Sequence, residues 1–85
     1  MLELYQIDGC PFCERVISCL DKLGLDYIVR SEPSEPGRRE RVFTVSGQRF
    51  VPTLVDPDRN VIIANDDDAI IAYLEEQYGQ AGPKK

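Results

Sequence analysis

The chain has no histidine, no tryptophan, three cysteines and one methionine, and its basic side chains are outnumbered, 10 Lys and Arg against 15 Asp and Glu. A closed structural zinc site needs four ligands, mostly Cys and His, and a chain with no His and a single Cys beyond its Cys-x-x-Cys pair does not supply them. A net charge of -5 speaks against a nucleic-acid surface, which concentrates Lys and Arg on one face. No apolar stretch approaches the roughly 20 residues of a membrane span. Met1-Leu2-Glu3-Leu4-Tyr5 lacks the basic segment and apolar core of a secretory signal, so cytoplasmic residence is the expectation. In that reducing compartment three cysteines do not form a structural disulfide framework, which leaves transient, catalytic disulfide chemistry open to them.

At 85 residues, 42% of them hydrophobic, the chain is expected to fold as one domain around a single core, without a second catalytic domain. The domain is expected to cover residues 1–79. Gln80 to Lys85, with Gly82, Pro83 and two terminal lysines, reads as a flexible C-terminal tail.

Leu2 to Ile7 places Leu2 and Leu4 on one face and Tyr5 and Ile7 on the other, the pattern of a central strand covered on both sides. Gly9 ends it, Cys10 is placed as the N-cap of a helix, and Pro11 suits the first helical position, where a missing N–H costs nothing. Cys13, Val16, Ile17, Leu20 and Leu23 then recur at helical spacing up to Gly24, giving a helix over 11–23. Leu25 to Arg30 reads as a second strand, parallel to the first, and the proline-punctuated stretch 31–37 as a loop. A short helix is expected over Arg38 to Val45. Thr53 to Asp56 and Val61 to Ala64 flank Pro57-Asp58-Arg59-Asn60 as a hairpin. The last helix starts at Asn65-Asp66-Asp67-Asp68, with Asn65 or Asp66 as N-cap, carries Ile70, Tyr73, Leu74, Gln77 and Tyr78 on one stripe, and closes at Gly79. The order β1-α1-β2-α2-β3-β4-α3 predicts an α/β fold with a mixed four-stranded sheet flanked by helices.

Cys10-Pro11-Phe12-Cys13 lies between the first strand and the first helix. The nucleophile in disulfide exchange is the thiolate, and a thiol at a helix N-terminus meets unpaired N–H groups and the positive end of the dipole. Thiols of Cys-x-x-Cys motifs at such sites have pKa values lowered to roughly 3.5–7.5, which makes Cys10 the expected nucleophile. Cys13, one turn on and in line with Val16, Ile17 and Leu20, faces inward and is the expected resolving thiol. Two cysteines that merely fill core volume are the plainer alternative, but the strand-to-helix setting of the pair favours redox chemistry. Cys19 lies about 13 Å along the helix axis from Cys10, beyond disulfide reach, and reads as a packing or partly exposed thiol.

Three motifs together, Cys10-Pro11-Phe12-Cys13, Val51-Pro52-Thr53 and Asn65-Asp66-Asp67, resemble the glutaredoxin family of the thioredoxin fold, and the chain is also similar to the N-terminal thiol-binding domain of glutathione transferases. The resemblance runs from Leu2 to Tyr78. It implies a thioredoxin-like fold and a thiol-disulfide oxidoreductase that reduces protein or small-molecule mixed disulfides as a monomer. Glutathione or another γ-glutamyl thiol would be the co-substrate, with no tightly bound cofactor. It further implies that Pro11 and Phe12 border the substrate, that the Val51-Pro52 bond is cis, and that Val51 offers backbone N–H and C=O to the cysteinyl part of the thiol. Asp66 and Asp67 would meet the γ-glutamyl end, a role compatible with helix capping. Arg38, Arg39 and Arg41 would reach the glycyl carboxylate or else remain solvated. Two related readings are an iron-sulfur cluster module held by Cys10 and a bound thiol, which Cys13 disfavours, and a non-catalytic adaptor. The chain departs from the glutaredoxin pattern in lacking a Lys before Cys10, where it has Gln6-Ile7-Asp8-Gly9, and two glycines before the acidic pair, where it has Ala64-Asn65. These departures leave the identity of the thiol open. Ala69 to Leu74 looks more like the transferase helix, yet the helical domain that holds a transferase's electrophile is not in this sequence, and a complete transferase is not expected.

Overall fold

The computed structural model describes residues 1–79; the expected C-terminal tail lies outside them. The elements are β1 (Leu2–Gln6), α1 (Pro11–Lys22), β2 (Tyr27–Ser31), a 3-10 turn (Pro36–Arg38), α2 (Glu40–Ser46), β3 (Thr53–Asp56), β4 (Val61–Ala64) and α3 (Asp67–Tyr78). The expected order holds, and the sheet runs β2-β1-β3-β4 with β1 parallel to β2 and the remaining pairs antiparallel. β1 is interior, as its two-sided apolar pattern requires. None of the helices among the described residues is long and apolar enough to cross a membrane.

Several element ends differ from expectation, each for a local reason. β1 stops at Gln6, opposite Ser31, where its partner strand ends, so Ile7 leaves the ladder. β2 begins at Tyr27 rather than Leu25 because Leu25 belongs to the end of α1. The Gly24 N–H bonds the Asp21 carbonyl and the Leu25 N–H bonds the Leu20 carbonyl, both at 3.0 Å. This is the Schellman pattern, and it needs the left-handed backbone that Gly24 supplies at φ +69°. The segment expected to be helical from Arg38 is split: Pro36–Arg38 forms the 3-10 turn and α2 starts at Glu40. On α3, Gln77 is exposed rather than part of the buried stripe, its amide oxygen bonded to the Arg59 guanidinium.

The core lies on one sheet face, where Leu2 and Leu4 of β1 and Leu54 of β3 meet Val16, Cys19 and Leu20 of α1 and Ile70 and Leu74 of α3. Each fully buried Leu or Ile here contributes about 1.5–3 kcal/mol relative to exposure. Cys19 is accordingly a packing residue. The opposite face carries Tyr5, which lines a groove with Glu40, Arg41, Thr44 and Val45 of α2. The two layers hold the C-terminal end of β1, the start of α1 and the start of β3 in fixed relation, and the candidate site lies there.

Candidate active site

Gly9, at φ +73°, turns the chain out of β1 and delivers Cys10 to the N-cap of α1. Pro11 takes the first helical position, and the Cys13 backbone N–H donates to Cys10 Sγ at 3.2 Å. The Cys10 sulfur thus caps the helix, and a sulfur that carries or develops negative charge meets a donor there. The pair is asymmetric as expected: Cys10 keeps 8% of its surface exposed and Cys13 none. Burial, reinforced by its interaction with Cys10, pushes the Cys13 thiol up to about 12. Cys13 is therefore a neutral thiol at pH 7.

Val51-Pro52 is cis, and Pro52 is buried. The loop before it is braced by side chains. Gln48 accepts from the Phe50 N–H at 2.8 Å and donates to Ser46 Oγ at 2.7 Å and Thr53 Oγ1 at 3.1 Å. The Asn65 N–H donates to the Pro52 carbonyl at 2.9 Å, which ties the cis bond to the approach of α3. Asn65 stands at φ +56°, a left-handed conformation that Asn tolerates better than most residues.

The acidic helix start divides its labour. Asp66 is the N-cap, its Oδ1 accepting from the Ala69 N–H at 2.9 Å. Asp67 instead lines a groove of about 210 Å³ with Phe12, Val51, Pro52 and Asn65. Arg15 of α1 bridges Asp67 and Asp68, at 2.8 Å from the latter. Of the residues expected at the site, the groove gathers Phe12, Val51, Pro52 and Asp67; Cys10, Pro11, Cys13 and Asp66 border no part of it. Two larger grooves, about 310 and 320 Å³, lie over Tyr5 and beside Cys19 and contain none of the three motifs.

The arginines expected near a ligand carboxylate are differently employed. Arg39 is buried and spends its guanidinium on the carbonyls of Pro33, Ser34 and Arg49, at 2.6–3.1 Å. Arg41 pairs with Glu32 at 3.1 Å and bonds the Ser31 carbonyl at 2.7 Å. Arg38 makes no side-chain hydrogen bond among the described residues. Sequence reasoning missed Arg15, Gln48 and the groove role of Asn65. Three successive carboxylates call for a counter-charge, and Arg15 is the basic residue nearest the dithiol on α1, a signal that was present; nothing local marks Gln48.

A dithiol at a helix start, a cis-proline loop and an acidic helix start on a mixed four-stranded sheet define a thioredoxin-like domain. Residues 4–83 match the family model of the glutathione S-transferase N-terminal domain, and the chain belongs to that family. Among solved structures it is similar to an epsilon-class glutathione S-transferase from the housefly Musca domestica, at 29% identity and a TM-score of 0.78 over 94% of this chain and 36% of that one. It is similar to a glutathione transferase from Drosophila melanogaster, at 32% identity and 0.77 over 92% and 35% of the two chains. A transferase homologue from Drosophila mojavensis, solved with bound glutathione, gives 33% identity and 0.79 over 93% and 36%. The chain thus spans a little over a third of the length of these relatives. No curated protein matches it in sequence.

Proposed function

We propose that this domain binds glutathione or another γ-glutamyl thiol and carries out thiol-disulfide exchange through Cys10 and Cys13. The observation that carries the reading is the capping of α1 by Cys10 Sγ, one turn from a fully buried second thiol. The Cys10 thiolate attacks one sulfur of a disulfide, forming a mixed disulfide and expelling the other half as a thiolate. Cys13 loses its proton and attacks Cys10 Sγ, which closes the Cys10–Cys13 disulfide and releases the second thiolate. Two electrons pass from the dithiol to the substrate, and two equivalents of a γ-glutamyl thiol restore the pair. Pro11 and Phe12 border the attacking sulfur, Val51 offers its backbone to the cysteinyl part of the thiol, and Asp66 and Asp67 set the negative charge that receives the γ-glutamyl ammonium. Of these two, Asp67 is the better placed, because it faces the groove while an oxygen of Asp66 is committed to the cap.

Reduction of a glutathionylated peptide by wild type and Cys10→Ser tests the reading: the variant is expected to lose activity at least about a hundredfold, and activity surviving in it would remove Cys10 as nucleophile. A second reading is favoured by the family match, namely that the domain presents the thiol for transfer to an electrophile. Conjugation of glutathione to 1-chloro-2,4-dinitrobenzene, without turnover of the mixed disulfide, is the outcome that selects it.

A further inference from the structure

Asp67 is held from outside its own helix. Its neighbours Asp66 and Asp68 carry the same charge, and although the N-terminal dipole of α3 favours all three, their mutual repulsion leaves the Asp67 rotamer unsettled by local forces alone. Arg15 settles it. One guanidinium nitrogen, Nη1, donates to Asp67 Oδ2 and also to Asp68 Oδ1, so the bond spans α1 and α3 across 52 residues of sequence. The arrangement leaves Asp67 Oδ1 without a hydrogen-bond partner among the described residues, on a side chain that lines the groove beside Phe12, Val51, Pro52 and Asn65. One positive charge against two negative ones leaves the cluster anionic, so the open oxygen still attracts a cation.

We infer that Arg15 is a positioning residue that fixes Asp67 for the ammonium group of the bound thiol, and so sets the preference for thiols with a free α-amino-acid head over thiols without one. The inference rests on the γ-glutamyl reading above and adds the element that orients it. The side chain acts by preorganisation: the carboxylate is locked before the ligand arrives, and the ordering cost is not charged to binding. A neutral side chain at position 15 frees the carboxylate to turn toward solvent. A lysine keeps the charge and most of the reach but loses the planar fork.

The test is calorimetric binding to the full chain of S-methylglutathione, which has the ammonium and exchanges no disulfide, and of its N-acetyl derivative, which lacks the ammonium. Wild type is expected to bind S-methylglutathione about tenfold more tightly than the acetylated form, the scale of one charge-assisted hydrogen bond. Arg15→Gln is expected to lose about that tenfold for S-methylglutathione while leaving the acetylated ligand unchanged, and Arg15→Lys to remain within about threefold of wild type. If Arg15→Gln binds S-methylglutathione as wild type does, or weakens both ligands equally, the positioning role is overturned. If wild type binds the two ligands equally or binds neither, the γ-glutamyl reading falls, and the positioning role with it.

Discussion

The sulfurs of Cys10 and Cys13 differ through environment, since their chemistry is the same. Cys10 ends a turn and takes a backbone N–H on its sulfur; Cys13 is fully buried. Burial, the larger cause of the raised Cys13 thiol, persists when Cys10 is held in a mixed disulfide, so the Cys13 thiolate fraction near neutrality is small and grows about tenfold per pH unit. Closure of the Cys10–Cys13 disulfide from a preformed mixed disulfide should therefore accelerate steadily from pH 6 to pH 9 without a plateau, which stopped-flow release of a chromophoric thiolate would record. A plateau below pH 8 would mean that Cys13 ionises far more readily once Cys10 is occupied. The difference in burial between the two thiols was legible in the sequence, because helix phase alone separates positions 10 and 13. The value of the asymmetry was not, since it depends on burial by residues distant in the chain.

At the scale of elements, α3 is anchored to the sheet by a polar contact as well as by Ile70 and Leu74. Asp56, at the end of β3 and fully buried, accepts hydrogen bonds on Oδ2 from Tyr73 at 2.7 Å and Tyr78 at 2.6 Å, while Oδ1 has no partner among the described residues. Burial pushes its carboxyl up, but the two phenols and Arg59 together outweigh burial and hold it below its ordinary value. A carboxylate whose folded value is depressed contributes stability that is present above its unfolded value, near 4, and is lost as pH falls through the folded one. Burial and Asp56 raise Tyr73 and Tyr78, so their contribution is present below about pH 10 and is lost as pH rises past it. Tyr73→Phe is expected to cost about 1.5–3 kcal/mol in urea unfolding at pH 7, and Asp56→Asn to show a smaller loss of stability between pH 5 and pH 2 than wild type. The hairpin and α3 were readable from Pro57, Gly79 and the apolar spacing. The link between them was not, because Asp56 reads only as the last residue of a strand until the tyrosines of a later helix are brought over it.

For the whole molecule, the chain matches the family model over residues 4–83 and spans a little over a third of the length of the three similar transferases. We propose that residues 1–79 form the folding unit, since α1, α3 and residues of all four strands meet in one apolar cluster. A chain of residues 1–79 is then expected to melt within about 2 °C of the full chain, by calorimetry, because one kcal/mol shifts a domain of this size by roughly 4–8 °C. A drop of 10 °C would assign part of the stability to the residues beyond Gly79.

By itself the sequence determined the element order, the interior position of β1, the placing of the dithiol at a helix start and the three motifs of the site, because period, caps and turn chemistry are local properties of the chain. Only the tertiary structure decided which acidic residue faces the groove, that Arg15 holds it, that Arg39 and Arg41 are committed to backbone and Glu32, and that Gln48 braces the Val51-Pro52 loop. Each of these joins residues whose pairing follows from strand order and helix packing, and a long polar side chain has many possible partners until the fold leaves it one.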